Sequence, residues 1–309
     1  MATAIRSSAI SPETKVKMTV QENASEKTGQ LEKLTQEHSS LLTRFLDMSF
    51  APKFDEMLTG HLRLNDSVRY SLLQEGGKRF RPVLAMLVAQ ALGEKPERVL
   101  AFAGAVECVH TYSLIHDDLP AMDNDDFRRG QPTNHKKFDE STAILAGDAL
   151  LTEAFQMIAT NYAAEPAIGL QAVSELALAS GLHGMVGGQA IDMGAKKESV
   201  NLEELRTMHR LKTGALIRVA ARGSALICKA DAEKLKQITT FAEDLGLAFQ
   251  VADDLLDYDQ ARPEPGSYPA LLGPDKTRDF LEDLTASCLA SIETWGEGAN
   301  PLREIAEYN

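Results

Sequence analysis

Cysteine, tryptophan and positive charge are scarce in this chain, and each scarcity argues against a class of protein. The 309 residues include one tryptophan and three cysteines, whose scattered positions give neither a disulfide framework nor a zinc-ligand pattern. The 45 acidic and 32 basic residues leave a formal net charge of −13, which disfavours binding to nucleic acid or to anionic membranes. Because so few cysteines suit a reducing compartment, we predict a cytoplasmic location.

Long hydrophobic runs and strand patterns are also missing. The apolar runs are short, as at 83–89, whereas a spanning helix needs about 20 predominantly apolar residues, so no stable membrane insertion is predicted. Period-two alternation with β-branched residues is nearly absent, so no sheet is predicted. Residues 1–30 carry almost no large apolar side chains, and we predict a flexible N-terminal arm there, followed by one domain over 31–309.

What the chain does have is apolar residues at helical spacing. Between residues 235 and 256, apolar side chains recur at steps of three and four, and a similar stripe leads to residue 113. Such stripes mark one face of a helix. The predicted fold class is therefore all-α, a single large bundle of roughly ten helices around one core with a central apolar cavity.

Two clusters of aspartates lie where predicted helices end. A helix C-terminus carries partial negative charge, so carboxylates crowded there need a bound cation. Mg²⁺ takes one or two carboxylates and completes its shell with water and substrate phosphates, so we predict a divalent-metal site at these clusters. The predicted metal ligands are Asp117, Asp118 and Asp123 in the first cluster and Asp253, Asp254 and Asp257 in the second.

Spacing predicts how the first cluster is presented. Asp117 and Asp123 are six residues apart, which on a regular helix is about 240° of rotation. Because Pro120 cannot continue a helix interior, we expect the helix to end near Leu119 and Asp123 to return on an irregular turn. A lone pair of aspartates is usually a solvated helix end, but two clusters that follow apolar stripes favour metal binding.

Three basic segments, at 76–82, 128–130 and 212–214, are candidates for phosphate binding. Arginine binds phosphate oxygens in a bidentate way and lysine acts as a point charge, although each segment alone could be ordinary surface charge. His110 shares a helix face with Asp117, and a buried structural histidine is its alternative. Together, metal-bridged and basic anion sites with apolar faces between them indicate an enzyme that joins or ionises apolar diphosphates.

These segments coincide in order and spacing with those of a known family. The chain resembles the trans-prenyl diphosphate synthases of the farnesyl and geranylgeranyl diphosphate synthase type over about residues 40–270. The resemblance implies the isoprenoid synthase fold, a homodimer, and condensation of isopentenyl diphosphate with an allylic diphosphate in isoprenoid biosynthesis. It also implies about three Mg²⁺ ions, or Mn²⁺ in their place. The matching segments lie at 76–82, 116–123, 128–133, 212–214 and 249–257.

The resemblance also assigns roles to individual residues. Metals held by the aspartates are expected to bind the allylic diphosphate and make it a leaving group. The released diphosphate is expected to accept the proton that the condensation product loses. The residues expected to be catalytic are Asp117, Asp118, Asp123, Lys212 and Asp253. The expected isopentenyl diphosphate contacts are Gly77, Lys78, Arg81, His110 and Arg129. The expected allylic diphosphate contacts are Arg128, Lys212, Thr213 and Gln250.

Tyr112 and its neighbour Ser113 bear on product length. Tyr112 lies five residues before Asp117, which is about 7.5 Å along a helix. A bulky aromatic ring there is expected to stop elongation early. With the four-residue spacer between Asp118 and Asp123, this resembles the bacterial members that make the C15 product. We therefore predict farnesyl diphosphate, with the C20 product as the alternative.

One segment departs from the family pattern. Members usually carry lysines in a loop after the second aspartate cluster, whereas 258–269 is short here and no lysine occurs between Lys236 and Lys276. Such a loop helps to close the site and exclude water. A weakly active or regulatory diphosphate-binding subunit therefore remains an alternative. A terpene cyclase is disfavoured, because it would not need a second diphosphate site such as the one at 76–82.

Overall fold

Helices dominate the computed structural model, which describes residues 12–52, 59–195, 200–262 and 264–308. The predicted all-α class is confirmed. These ranges hold more helical segments than the roughly ten predicted, because several are too short to carry an apolar stripe. The helices are α1 (Pro12–Ser49), α2 (Thr59–Leu72), α3 (Phe80–Ala91), α4 (Leu100–Asp117), α5 (Asn134–Lys137), α6 (Glu140–Asn161), α7 (Pro166–Ser180), α8 (Met185–Gly194), α9 (Leu202–His209), α10 (Ala215–Ile227), α11 (Ala232–Leu256), α12 (Tyr268–Leu272), α13 (Pro274–Ser291) and α14 (Asn300–Glu307).

The first helix begins inside the segment that composition marks as an arm. Helical backbone runs from Pro12, through residues rich in Glu, Lys and Gln, which favour helix. A scarcity of apolar side chains predicts little packing, and it does not by itself exclude helical backbone. Residues 1–11 lie outside the described residues, and the division between an arm and a domain at residue 30 stays a prediction.

In the described part of the chain, three groups of buried apolar side chains hold the helices together, where the sequence predicted one core. The largest lies among α1 to α4, α6, α7 and α10 and includes Phe102. A second group, around Phe241, joins α3, α10, α11, α13 and α14. A third and smaller group, around Tyr268, joins α9, α11, α12 and α13 beside the second aspartate cluster. Shared helices connect the groups, so the aspartate-bearing ends of α4 and α11 are both anchored in buried packing.

Among the residues that the structure describes, two helical segments, Pro96–Asp117 and α6, are long and apolar enough to cross a bilayer by length and composition alone. Uninterrupted apolar runs do not reveal them, because charged residues such as Glu107 and Asp148 lie within them. In the fold, 72% of the 18-residue apolar stretch in the first segment is buried, as in a core helix of a soluble protein. Packing therefore explains why this segment is apolar. In α6, only 39% of the corresponding 18-residue stretch is buried, and Ile144 and Leu145 are exposed.

A small antiparallel hairpin, which the sequence did not predict, joins α4 to α5. Strand β1 (Phe127–Arg128) pairs with β2 (Gln131–Pro132). Arg129 and Gly130 between them have φ values of 52° and 75°, the left-handed values of a tight hairpin turn. Two-residue strands are too short to show alternation in the sequence.

Candidate active site

A cavity of about 710 Å³ lies between α3, α4, α6, α8 and the start of α10. Polar residues from separate elements meet in its lining, among them Asp117, Lys212 and Thr213. Most of the remaining lining is apolar, with Tyr112 and Leu216 as examples. The predicted apolar cavity is therefore present, and it is bordered by residues of the first aspartate cluster and of two basic segments.

The first aspartate cluster follows the predicted turn. Helix α4 ends at Asp117, and the backbone N–H of Asp123 donates to the carbonyl oxygen of Asp117 at 2.8 Å, so the chain turns back around Pro120. The carboxylates of Asp117 and Asp123 have no hydrogen-bond partner within the described residues. Burial raises the pKa of Asp117 to about 6, and the neighbouring Asp123 charge adds to that shift. A bound cation would compensate both the lost hydration of Asp117 and its repulsion from Asp123.

Asp118 is held differently from the other members of that cluster. Its side chain is buried and accepts hydrogen bonds from Arg128, with Nη2 at 2.6 Å and Nε at 2.9 Å from Oδ1. This bidentate ion pair fixes the guanidinium of Arg128 beside the hairpin. The sequence interpretation gave Asp118 a metal and Arg128 a phosphate, whereas the structure pairs the two side chains with each other.

The second aspartate cluster lies at the C-terminal end of α11. Thr213 Oγ1 donates to Gln250 Oε1 at 2.8 Å, and Gln250 Nε2 lies 3.5 Å from Asp253 Oδ2, so a polar chain links the cavity lining to Asp253. Burial raises the pKa of Asp253, and the Lys78 charge opposes that shift. Asp257 is exposed and lies at the end of the helix.

Asp254 faces the protein interior. The backbone N–H of Tyr268 donates to its Oδ2 at 2.8 Å, which ties the end of α11 to the start of α12. Burial nevertheless raises the pKa of Asp254 to about 6, because one hydrogen bond does not replace full hydration. Asp254 therefore holds the start of α12 against the end of α11.

The aspartates fit a metal that shares its shell with a substrate. Within the described ranges, no three His, Cys, Asp or Glu side chains come close enough to hold a metal ion by themselves. Mg²⁺ typically takes only one or two carboxylates and fills the rest of its shell with water and phosphate oxygens. Of the six aspartates in the two clusters, Asp117, Asp123 and Asp257 have no side-chain partner within the described residues. Together with Asp253, they fit this role best.

Arg81, His110 and Arg129 form one basic group. Arg81 Nη1 lies 3.4 Å from His110 Nε2, and both residues line the cavity. Burial, followed by the charge of Arg81 and other arginines, holds the pKa of His110 well below its usual value. A Cβ on Gly77 would lie 2.8 Å from Arg129 Nη1, so the missing side chain of Gly77 makes room for that guanidinium. Together with Gly77, these three side chains make up four of the five residues predicted to bind isopentenyl diphosphate.

Lys78, the fifth of those residues, faces the second aspartate cluster. It is exposed, and its charge opposes the effect of burial, which raises the pKa of Asp253. It lines a separate groove with Phe80 and Phe249, whose rings stack at 5.8 Å between α3 and α11. Three-residue spacing suggested that Lys78 and Arg81 point the same way; a left-handed backbone at Arg79, with φ of 47°, separates them.

Two further charged pairs support the basic residues, and the sequence interpretation missed both. Arg79 Nη1 lies 2.5 Å from Glu107 Oε1, with both side chains almost fully buried, and Arg79 Nη2 donates to the carbonyl oxygen of Leu72 at 2.6 Å. Lys212 Nζ donates to Asp192 Oδ2 at 2.5 Å. Glu107 and Asp192 each interrupt an apolar helix, and that was the available signal.

An all-α fold around an apolar cavity, bordered by two aspartate clusters and buried basic side chains, defines the class of helical isoprenoid synthases. Within this class, the chain belongs to the polyprenyl synthetase family, whose model matches residues 62–266. A farnesyl diphosphate synthase of Geobacillus stearothermophilus is 46% identical over 234 residues, which are 71% of this chain and 78% of the relative.

A plant relative and a solved structure extend this similarity. Geranylgeranyl pyrophosphate synthase 7 of Arabidopsis thaliana, a chloroplastic protein, is 40% identical over 263 residues, which are 80% of this chain and 76% of the relative. The crystal structure of an FPP/GFPP synthase from Zymomonas mobilis is similar with a TM-score of 0.81 and 36% identity, and the match covers 92% of this chain and 99% of that chain.

Proposed function

We propose that the chain is a Mg²⁺-dependent prenyltransferase that condenses isopentenyl diphosphate with dimethylallyl or geranyl diphosphate to give farnesyl diphosphate. The observation that carries this proposal is one apolar cavity whose lining includes Asp117 and Lys212 on one hand and Arg81 and His110 on the other. Two anions and a hydrocarbon can thus be held together. The similarity to a bacterial farnesyl diphosphate synthase supports the C15 product.

The chain's own residues bind and orient the allylic diphosphate. Asp117, Asp123, Asp253 and Asp257 would hold Mg²⁺, which neutralises the diphosphate and makes it a better leaving group. Lys212, fixed by Asp192, supplies a further positive charge beside the cavity. Arg128, fixed by Asp118, supplies another next to the first cluster. Charges fixed before the substrate arrives need no reorganisation when the bond breaks.

The reaction balances without a side-chain base. The allylic C1–O bond breaks, and its electron pair leaves with the diphosphate. The isopentenyl double bond then gives its electron pair to C1, which forms the new carbon–carbon bond. A neighbouring C–H bond of the isopentenyl unit then breaks: its electron pair forms the new carbon–carbon double bond, and its proton passes to an oxygen of the released diphosphate. The apolar cavity wall excludes water that would otherwise capture the cation.

A product assay tests the proposal. Purified protein is incubated with labelled isopentenyl diphosphate, Mg²⁺ and, in turn, dimethylallyl, geranyl or farnesyl diphosphate, and the dephosphorylated products are sized. We expect a C15 product from the first two acceptors and no extension of farnesyl diphosphate. A C20 product would refute the assigned product length. No product from any acceptor, with diphosphate binding retained, would replace the proposal by a regulatory subunit, which the short lysine-free segment 258–269 favours.

Tyr112 is expected to limit product length. Its ring is buried, lines the cavity and packs edge-on against His116 at 5.8 Å between ring centroids. Tyr112→Ala removes this ring, and we expect the main product to shift from C15 to C20. Tyr112→Phe keeps the ring and should keep C15 as the main product. Both are read by sizing the products, and an unchanged C15 product from Tyr112→Ala would show that another residue sets the length.

We propose further that the enzyme works as a cytoplasmic homodimer that pairs through α6. Leu145 is 54% exposed there, beside the exposed Ile144. Leu145→Glu places a charge on this apolar surface and should convert a dimer, of twice 33.7 kDa, into a monomer. Met48→Glu, at an exposed position on α1, should leave the dimer intact. Light scattering after gel filtration measures both, and a wild-type mass of 33.7 kDa would refute the dimer.

A further inference from the structure

Gln189 on α8 carries a buried amide that has no partner. The residue lines the 710 Å³ cavity, as do Lys212 and Thr213. Neither its Nε2 nor its Oε1 forms a hydrogen bond with any of the described residues, and both atoms are shielded from solvent. An unpaired buried polar group destabilises the folded state, so an unpaired amide in a cavity wall points to a ligand that interacts with it.

Helix α8 places Gln189 between a polar and an apolar contact. Asp192, three residues later, accepts the hydrogen bond from Lys212 Nζ. Met185, four residues earlier, lines the cavity with an apolar side chain. These spacings put all three residues on one helix face, with Gln189 about 6 Å from Met185 and about 4.5 Å from Asp192 along the axis. Gln189 therefore lies where phosphate-binding side chains give way to hydrocarbon-binding ones.

The neighbouring Gly188 fixes this placement. A Cβ at Gly188 would lie 2.2 Å from the backbone nitrogen of Lys212, a contact that no side chain can make. Only glycine lets α8 approach the turn that carries Lys212 and Thr213 so closely. The Gln189 amide is thus held beside these two residues by backbone packing.

We propose that Gln189 is a catalytic residue whose carboxamide oxygen faces the allylic carbons of the bound diphosphate; this rests on the proposed function. When the C1–O bond breaks and its electron pair leaves with the diphosphate, positive charge spreads over C1 and C3. The oxygen end of the amide dipole stabilises that charge. A neutral amide does so without competing with the diphosphate for Lys212, as a carboxylate at this position would.

Replacement of the amide by a hydrocarbon tests this role. Gln189→Leu should lower kcat by about ten- to a hundredfold while both KM values stay within about twofold of wild type. Its melting temperature should not fall, because leucine replaces an unpaired polar group. Ile191→Leu, on the same helix but outside the cavity lining, should leave all these values unchanged. An unchanged kcat in Gln189→Leu would overturn the proposal.

Binding of two inert analogues separates a catalytic role from a structural one. One is an allylic diphosphate analogue with an ammonium group in place of the reacting carbon, and the other is the thio-linked allylic diphosphate, which carries no positive charge at that position. Gln189→Leu should weaken binding of the ammonium analogue by about tenfold and keep the affinity for the thio analogue within about twofold of wild type. Equal losses of affinity for both analogues would overturn the proposal.

Gln189→Met, of similar shape, is the variant to use if Gln189→Leu does not fold. A wild-type protein that makes no product refutes the proposed function, while the analogue comparison still decides the role of Gln189.

Discussion

Asp117→Asn is expected to lower kcat by roughly 10²- to 10³-fold, because it keeps the shape of the side chain and removes the negative charge that would bind a cation. Asp117 ends α4, lines the cavity and has no hydrogen-bond partner for its carboxylate within the described residues. The substitution also removes repulsion from Asp123, which contributes to the raised pKa of Asp117. The melting temperature should therefore stay level or rise while activity is lost.

Asp126→Asn is the matched control for this experiment. Asp126 lies in the same loop, is exposed and pairs with Lys136 at 2.8 Å on the surface. Solvent screens an exposed ion pair and leaves it with little effect on stability, so neither kcat nor the melting temperature should change much. Steady-state kinetics and thermal melts are measured on both variants with Mg²⁺ in excess. A kcat for Asp117→Asn within a few-fold of wild type would refute the role given to the first aspartate cluster.

Glu107→Gln is expected to lower the free energy of unfolding by about 3–5 kcal/mol, because it leaves the buried guanidinium of Arg79 without its counter-charge. The two side chains are 4% and 2% exposed, and their closest atoms are 2.5 Å apart. Arg79 also donates to the carbonyl oxygen of Leu72 and so holds the loop that precedes Arg81. Denaturant titration of the wild type and the variant measures the difference.

Two comparisons make the Glu107 result specific. Asp275→Asn breaks an exposed pair with Arg278 of similar length, 2.7 Å, and should cost no more than about 1 kcal/mol. The double variant Arg79→Met with Glu107→Leu replaces both charges by apolar groups and should recover most of the lost stability. If Glu107→Gln costs no more than Asp275→Asn, the buried pair does not support the loop as described.

Local features of the site could be predicted from the sequence. The ends of α4 and α11 follow from apolar spacing, because each helix buries one continuous face. The return of Asp123 toward Asp117 follows from Pro120, whose effect on the backbone is confined to its own turn. The polar and apolar lining of one cavity follows from the same helix faces.

Features that depend on contacts distant in sequence could not be predicted. Glu107 lies 28 residues after Arg79, and only the packing of α3 against α4 joins them. The pairing of Asp118 with Arg128 depends on a hairpin whose strands are two residues long. Lys78 diverges from Arg81 because Arg79 takes a left-handed conformation, which is uncommon outside glycine. Each case is a tertiary contact or a strained backbone that no periodicity marks.

The metal dependence of condensation is the decisive measurement on the aspartate clusters. Geranyl diphosphate and labelled isopentenyl diphosphate are mixed with the metal-free protein, then with Mg²⁺, then with excess chelator, and C15 product is quantified at each stage. We expect no product without metal, C15 product with Mg²⁺ and its loss on chelation, since unneutralised diphosphate is a poor leaving group. Equal product formation at all three stages would show that the aspartates do not act through a divalent cation.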